Sequence, residues 1–256
     1  MDGRFLVDGI ELEAHVARPR QNRGAAQPGL VIAHGFPAEA GGGINSTSSF
    51  PGLADRVATE CGWAALAYSS RGIAQSGGDF SLEGWLRDLQ GAIAYLRESV
   101  HCDGVWLLGF GTGGALAVEA GAADESIRGV CAISLPADFS DWARSPRKLL
   151  VLAREMGAIR DSDFPEDFGD WSQQLRAVDA SKAATVLSPR ELLLIHGSDD
   201  EVVPVLDARA VADAHGAADL RIIDGASHHL RHDPRAIAVV LGWLDRQRNR
   251  LLSEVA

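Results

Sequence analysis

The chain has 256 residues, of which 46% are hydrophobic and 23% charged. That length and mixture fit one large α/β domain or two small ones, with enough chain to bury a core without disulfides or metal. The 24 Lys and Arg against 35 Asp and Glu leave a formal charge of −11, which repels phosphate backbones and excludes nucleic acid as an expected partner. No apolar run approaches the ~20 residues of a membrane span, so no membrane role is expected. Met1–Leu12 is mixed and polar and predicts no secretory signal. Cys61, Cys102 and Cys131 are odd in number, widely spaced and without a CxxC pair. They predict neither a disulfide framework nor a zinc site, and a cytoplasmic location.

In chain order, Phe5–Val16 alternates around Asp8-Gly9 and predicts a two-stranded hairpin with a tight turn. Short, almost wholly apolar runs follow: Leu30–Ala33, Ala64–Tyr68, Val105–Leu108, Val130–Ser134, Leu192–Ile195 and Leu220–Ile223. Such runs suit strands buried on both faces. Between them lie helical patterns. Ser81 is a candidate N-cap, followed by Leu82, Trp85, Leu86, Leu89, Ile93 and Leu96 at three- and four-residue steps. Asp233-Pro234 opens the last helix, with Ile237, Val240, Leu241 and Leu244 as its inner stripe. Strands alternating with helices predict a mostly parallel, doubly wound sheet of about eight strands, the first pair antiparallel. Gln21–Gly29, Glu39–Ser49 and Asp161–Asp170 read as flexible.

One interval breaks the rhythm. From 138 to 185 no strand signal occurs, and Trp142, Leu149, Leu150, Leu152, Trp171 and Leu175 stand among charges. This predicts a helical cap at 138–185 inserted into a core of 1–137 and 186–256. Insertions at that edge of such a sheet lie over the ligand crevice, although a plain packing element is the blander reading.

Four loops could carry chemistry. His34-Gly35-Phe36 follows the Leu30–Ala33 run directly, and a glycine turn there can aim backbone N–H groups at an oxyanion. Gly109-Phe110-Gly111-Thr112-Gly113-Gly114 joins a buried strand to an Ala-rich helix. It fits either a G-x-S-x-G elbow with glycine in the serine position or a G-x-G-x-x-G dinucleotide loop. His196-Gly197-Ser198-Asp199-Asp200 and Gly225-Ala226-Ser227-His228-His229 close two later strands. An acid on one strand end and a histidine on the next make an orienter and a base. Singly, the acids could be turn residues and His228 a loop histidine. The dinucleotide reading has Asp138 near the right distance. It fails on context, because its glycines follow a mid-chain strand and leave the other three loops unexplained.

Taken together, His34-Gly35-Phe36-Pro37, Ser70-Arg71-Gly72 with Ser76-Gly77, Asp79-Phe80-Ser81 through Trp85-Leu86 and Asp88-Leu89, the elbow, and the Asp200 and His228 blocks extending to Leu230–Pro234 resemble the α/β-hydrolase superfamily. Within it, the serine-aminopeptidase (S33)-like and dienelactone-hydrolase-like members are the most similar. The resemblance implies an α/β-hydrolase fold, Asp200 as triad acid, His228 as base, and the backbone N–H groups of Phe36 and Thr112 as oxyanion hole. It implies small ester, amide or lactone substrates. No metal cluster, phosphate-binding Walker loop or basic patch argues for a cofactor or metal.

The departure is Gly111, which stands at the nucleophile position and has no hydroxyl. Loss of a triad serine costs on the order of 10⁶ in turnover. Thr112, Ser134 and Cys131 are poor substitutes: the first should begin the helix, the second should bond at a strand end, and the third should be an inert core thiol. Ala74 also departs, standing where the family often has a second glycine. Three functions remain open: a weak or inactive serine-hydrolase scaffold, general-base chemistry by His228 without a covalent intermediate, and a ligand-binding or regulatory pseudo-hydrolase.

Overall fold

A computed structural model describes residues 2–19, 27–38 and 49–255. Two of the segments read as flexible, 21–29 and 39–49, lie mostly outside these residues. The strands are β1 (Asp2–Val7), β2 (Ile10–Ala17), β3 (Gly29–Ala33), β4 (Ala64–Tyr68), β5 (Val105–Phe110), β6 (Ile127–Ile133), β7 (Glu191–Gly197) and β8 (Asp219–Ile223). The helices are α1 (Ser49–Arg56), α2 (Leu82–Ser99), α3 (Thr112–Ala123), α4 (Ser140–Arg144), α5 (Pro146–Glu155), α6 (Phe168–Gln173), α7 (Ala180–Leu187), α8 (Val205–His215) and α9 (Pro234–Val255). The strands form one eight-stranded sheet in the order β1-β2-β4-β3-β5-β6-β7-β8. β1 and β2 pair antiparallel, β2 meets β4 antiparallel, and the rest run parallel.

Local chemistry explains the elements. Asp8 and Gly9 both have positive φ, 53° and 78°, the conformation of a two-residue turn that matches strand twist. The Ser81 hydroxyl accepts the Gly84 N–H at 3.1 Å and caps α2. Asp233 takes the Arg235 N–H at 2.8 Å just ahead of Pro234. β3 shows why its run is unbroken: Leu30 and Ile32 enter one core while Val31 and Ala33 enter the other. One core lies under α1 and α9, the second under α2, α3, α7 and α8.

Two expected boundaries shift. β6 begins at Ile127, not Val130, because exposed Arg128 interrupts the apolar run without interrupting the ladder. The segment 161–170 is not wholly irregular, since α6 starts at Phe168 with the Asp167 carboxylate accepting the Asp170 N–H at 3.0 Å.

The interval expected to be a cap is helical among the described residues, apart from one bridge between Asp138 and Asp179. Its last helix, α7, packs on α3 and α8 beside the sheet. Leu149, Ala153, Ala158, Trp171 and Leu175 are buried in the same core as α2. The Trp171 indole N–H donates to the Phe80 carbonyl at 3.1 Å. Trp171 is thus buried packing and does not line an open crevice. Arg160 fastens the segment to the loop after β4 by donating to the carbonyls of Ala74, Ser76 and Gly78.

Ala74 itself has φ +50°, a left-handed conformation that glycine adopts freely and alanine does not. Ala74→Gly is expected to raise stability by up to ~1 kcal/mol, the αL relief exceeding the entropy that glycine adds to the unfolded chain. Urea denaturation checks this; a destabilised glycine variant contradicts it.

Candidate active site

Parallel strands bring their carboxyl ends to one edge of the sheet. The loops after β3, β5, β7 and β8 therefore meet there. Gly197, at the end of β7, lies so close to the next loop that a Cβ would stand 2.2 Å from the Ala226 carbonyl oxygen. The Asp199 N–H donates to that same oxygen at 2.9 Å. This contact places Asp200 and His228 side by side. His228 Nδ1 lies 2.9 Å from the Asp200 carboxylate. The Asp200 side chain is fully buried, and that of His228 is 23% exposed.

The second Asp200 oxygen accepts the N–H groups of Val202 and Val203, at 2.9 and 2.8 Å. His196, wholly buried, places Nε2 at 2.9 Å from the Val203 carbonyl and 3.3 Å from Asp200. Burial alone would raise the Asp200 pKa. The hydrogen bonds from His196, His228 and the Val203 backbone outweigh it and hold the carboxyl below the usual carboxylate range. Asp200 therefore stays anionic at neutral pH, and a carboxylate at Nδ1 leaves His228 Nε2 as the nitrogen free to accept a proton. Asp199 is exposed and accepts the Ser198 hydroxyl at 2.6 Å.

Gly111 links β5 to α3 with φ 52° and ψ −122°. Its N–H donates to the Ile133 carbonyl at 2.8 Å, which fixes the bend. A Cβ built there would have Gly35 Cα at 3.7 Å and His228 Nε2 at 3.8 Å. A side chain beginning at the bend would therefore face His228 Nε2, and the backbone conformation resists a larger residue. Gly113 differs: a Cβ there would stand 2.3 Å from the His34 carbonyl oxygen, so this glycine is needed for the β3 loop and α3 to touch.

Thr112 is the first residue of α3, where a backbone N–H has no acceptor within the helix. Phe36 follows Gly35, whose backbone abuts the bend. His34 Nδ1 lies 2.8 Å from the Gly35 carbonyl, and the Ser70 N–H donates to His34 Nε2 at 3.0 Å. Nε2 accepts, so the proton is on Nδ1 and points at Gly35. That bond orients the Gly35–Phe36 peptide, and a trans peptide sends its N–H the opposite way from its carbonyl.

His34 is buried and its pKa falls to about 4, because burial disfavours the imidazolium more than the Gly35 bond favours it. The unfolded chain takes up this proton near pH 6.5, its ordinary value. Stability is therefore full above about pH 6.5 and declines toward pH 4 by on the order of 3 kcal/mol. Asp200 acts in the same direction below the ordinary carboxylate range. His34→Gln should flatten the decline between those pH values in urea titrations; an unchanged slope would contradict a neutral buried imidazole.

The other candidates resolve simply. The Ser134 hydroxyl donates to the His228 carbonyl at 3.2 Å, so it braces the histidine loop from a strand end. Cys131 is fully buried, and burial raises its thiol pKa. The motif Ser70-Arg71-Gly72 conceals a network that sequence reasoning did not derive. Arg71 forks onto the wholly buried Asp88 at 2.7 and 3.0 Å, and the Arg71 N–H donates to Asp88 at 2.8 Å. The available signal was a charged residue on the inward face of α2. Phe36, Phe80, Trp85 and Trp142 form edge and tilted ring contacts, with Phe36 and Trp142 centroids 5.3 Å apart. Helix α4 thus touches the β3 loop.

Among the described residues, no group of three or more His, Cys, Asp or Glu is placed to hold a metal. No described helix is long and apolar enough to cross a membrane. A groove of ≈580 Å³ at the β1–β2–β4 end, lined by Asp2, Glu13, His15, Tyr68 and Gln75 among others, includes none of positions 36, 111, 200 and 228.

No protein-family model and no curated protein sequence matches the chain. Solved structures do. Est1E from Butyrivibrio proteoclasticus, with ferulic acid bound, superposes with a TM-score of 0.74 at 20% identity, covering 98% of this chain and 99% of that one. The α/β hydrolase GrgF from Penicillium sp. sh18 gives 0.71 at 20% identity, covering 99% and 98%. A variant of the meta-cleavage product hydrolase CumD from Pseudomonas fluorescens IP01, complexed with acetates, gives 0.64 at 16% identity, covering 99% and 98%. With its sheet order and these likenesses, the chain has the α/β-hydrolase fold.

Proposed function

We propose that the chain acts on small ester, amide or lactone substrates with His228 as a general base oriented by Asp200, and without an acyl-enzyme. The observation that carries this reading is the 3.8 Å between His228 Nε2 and the Cβ position at Gly111. The base faces the place from which a nucleophile would attack, where a built Cβ has Gly35 Cα at 3.7 Å. In this mechanism Nε2 takes a proton from water as its oxygen adds to the acyl carbon. The N–H groups of Phe36 and Thr112 receive the developing oxyanion, and His228 returns the proton to the leaving group. General-base assistance contributes about 10²–10⁴, far below a full triad, so turnover is expected on the order of 10⁻⁵ s⁻¹.

Likeness to Est1E with ferulic acid bound and to a meta-cleavage product hydrolase supports hydrolysis of a small molecule. The S33-like and dienelactone-hydrolase-like assignment remains part of this reading. So does the role of 138–185 as a cap, which the Phe36–Trp142 contact supports. Three free cysteines suit a reducing, cytoplasmic compartment. A second reading, a ligand-binding pseudo-hydrolase, is favoured by the same glycine, because it removes both the nucleophile and the strain at the bend.

Turnover of p-nitrophenyl acetate by the chain and by His228→Ala separates the two. Slow activity abolished by His228→Ala supports the base. Activity that survives His228→Ala sinks it. No activity in either form, with a ligand that protects the fold thermally, supports the binding protein.

A further inference from the structure

Ser134 follows β6 directly and has φ +51°, a left-handed conformation that costs a residue with a side chain and that glycine adopts freely. Strain kept beside a reacting centre points to a task, and the mechanism above gives this serine none. Hydrogen bonds from three loops meet on it and on the peptide before it. The Ile133 carbonyl accepts the Gly111 N–H at 2.8 Å and so holds the bend. The N–H of that same peptide, borne by Ser134, donates to the Ile195 carbonyl of β7 at 2.9 Å. The Ser134 hydroxyl donates to the His228 carbonyl at 3.2 Å, and the Leu230 N–H donates to that carbonyl at 2.9 Å. Ser134 is 2% exposed, so water competes little for these bonds.

The histidine loop has other anchors, but they lead elsewhere. The Gly225 N–H donates to Ser198 Oγ at 2.8 Å, and the Ala226 carbonyl accepts the Asp199 N–H at 2.9 Å. Both tie the loop to the segment after β7 that carries Asp200, so they fix the base relative to its acid. Neither reaches Gly111. The path from the bend to the base runs through Ile133 and Ser134, by two hydrogen bonds and one peptide unit.

We propose that Ser134 is a positioning residue, whose hydroxyl and preceding peptide set the separation between His228 Nε2 and the bend at Gly111, 3.8 Å to the Cβ position there. This rests on the reading of His228 and Gly111 as the reacting centre. Ser134 itself neither touches the reacting atoms nor moves a proton. Glycine in its place would lose the hydroxyl and relieve the strain. Alanine would lose the hydroxyl and keep the strain. Position and stability can therefore be read apart.

The test takes the full chain, Ser134→Ala and Ser134→Gly through three measurements: melting temperature, turnover of p-nitrophenyl acetate, and hydrogen exchange of fragments covering 224–232 by mass spectrometry. Ser134→Gly should melt above Ser134→Ala by roughly 2–4 °C, because only glycine escapes the left-handed cost. Both variants should lower kcat by at least about fivefold, the value of one neutral hydrogen bond, with KM unchanged. Both should speed exchange across 224–232 by a similar factor and leave fragments of β3 and β4 as they were. Activity would then not follow stability, a separation that a merely structural serine does not produce. Faster exchange across 224–232 in both variants of a chain with no turnover leaves this assignment standing while the general-base reading fails. Unchanged exchange there in both variants overturns the assignment. So does a kcat that recovers with stability in Ser134→Gly, a loss of activity carried wholly by KM, or a Ser134→Gly form that melts no higher than Ser134→Ala.

Discussion

Gly111→Ser should make the chain label with a fluorophosphonate and lower its melting temperature at once. The chemical gain follows from geometry. A Cβ at this position stands 3.8 Å from His228 Nε2 and 3.7 Å from Gly35 Cα. A hydroxyl one bond further out reaches hydrogen-bonding distance of His228 Nε2 without displacing backbone. Asp200 already holds the other ring nitrogen at 2.9 Å. Removing a triad serine costs on the order of 10⁶ in turnover. Restoring one to a site not refined around it should recover at least about 10³ of that on p-nitrophenyl acetate. The loss of stability follows from φ 52° and ψ −122°, a region that costs a residue with a side chain about 1–3 kcal/mol and glycine nothing. For a domain of this size that is a fall of roughly 3–10 °C. A folded serine form that neither labels nor turns over would remove the case for a preserved site. An unchanged or raised melting temperature would remove the case for strain.

Asp88→Ala should be the most damaging single change to the scaffold that supports this site. The Asp88 carboxylate is wholly buried, and the Arg71 side chain it holds is only 6% exposed. Taking the acid away leaves a buried guanidinium with only Asp8, whose side chain is 45% exposed, at 3.0 Å. Stranding one partner of a buried pair costs about 3–5 kcal/mol, on the order of 10 °C in melting temperature. The cost lies in the orphaned charge, not in the value of the bond. The double variant Arg71→Met/Asp88→Leu should therefore recover most of the loss. Asp88 also fixes the Arg71 backbone N–H, next to the Ser70 N–H that holds His34. Asp88→Ala should thus slow any turnover in the fraction still folded. Loss of less than about 1 kcal/mol in a double-mutant cycle would show the pair to be effectively solvated.

Much of the fold is legible in the residues because strands buried on both faces carry mostly apolar side chains. β4 coincides with its apolar run, and β3, β5 and β7 contain theirs, since each face of the sheet meets a core. β6 begins earlier than its run because a ladder needs only backbone groups, which Arg128 supplies as well as valine does. The turn at Asp8-Gly9 and the caps Ser81 and Asp233 are local hydrogen-bonding devices, readable over three or four residues. That position 111 is a glycine is a fact of composition.

Other facts depend on which residues meet across the chain. Arg71 and Asp88 are neighbours only because α2 lies beneath the loop after β4, and His34 is neutral only because that packing excludes water. His196 carries no mark of its second contact with Asp200. Burial and convergence are properties of the folded chain as a whole. Hydrophobic period and turn chemistry are written locally, so the sequence determined the strands, the helices and the glycine at position 111. Only the tertiary structure decided which charges lost their water and which found a partner.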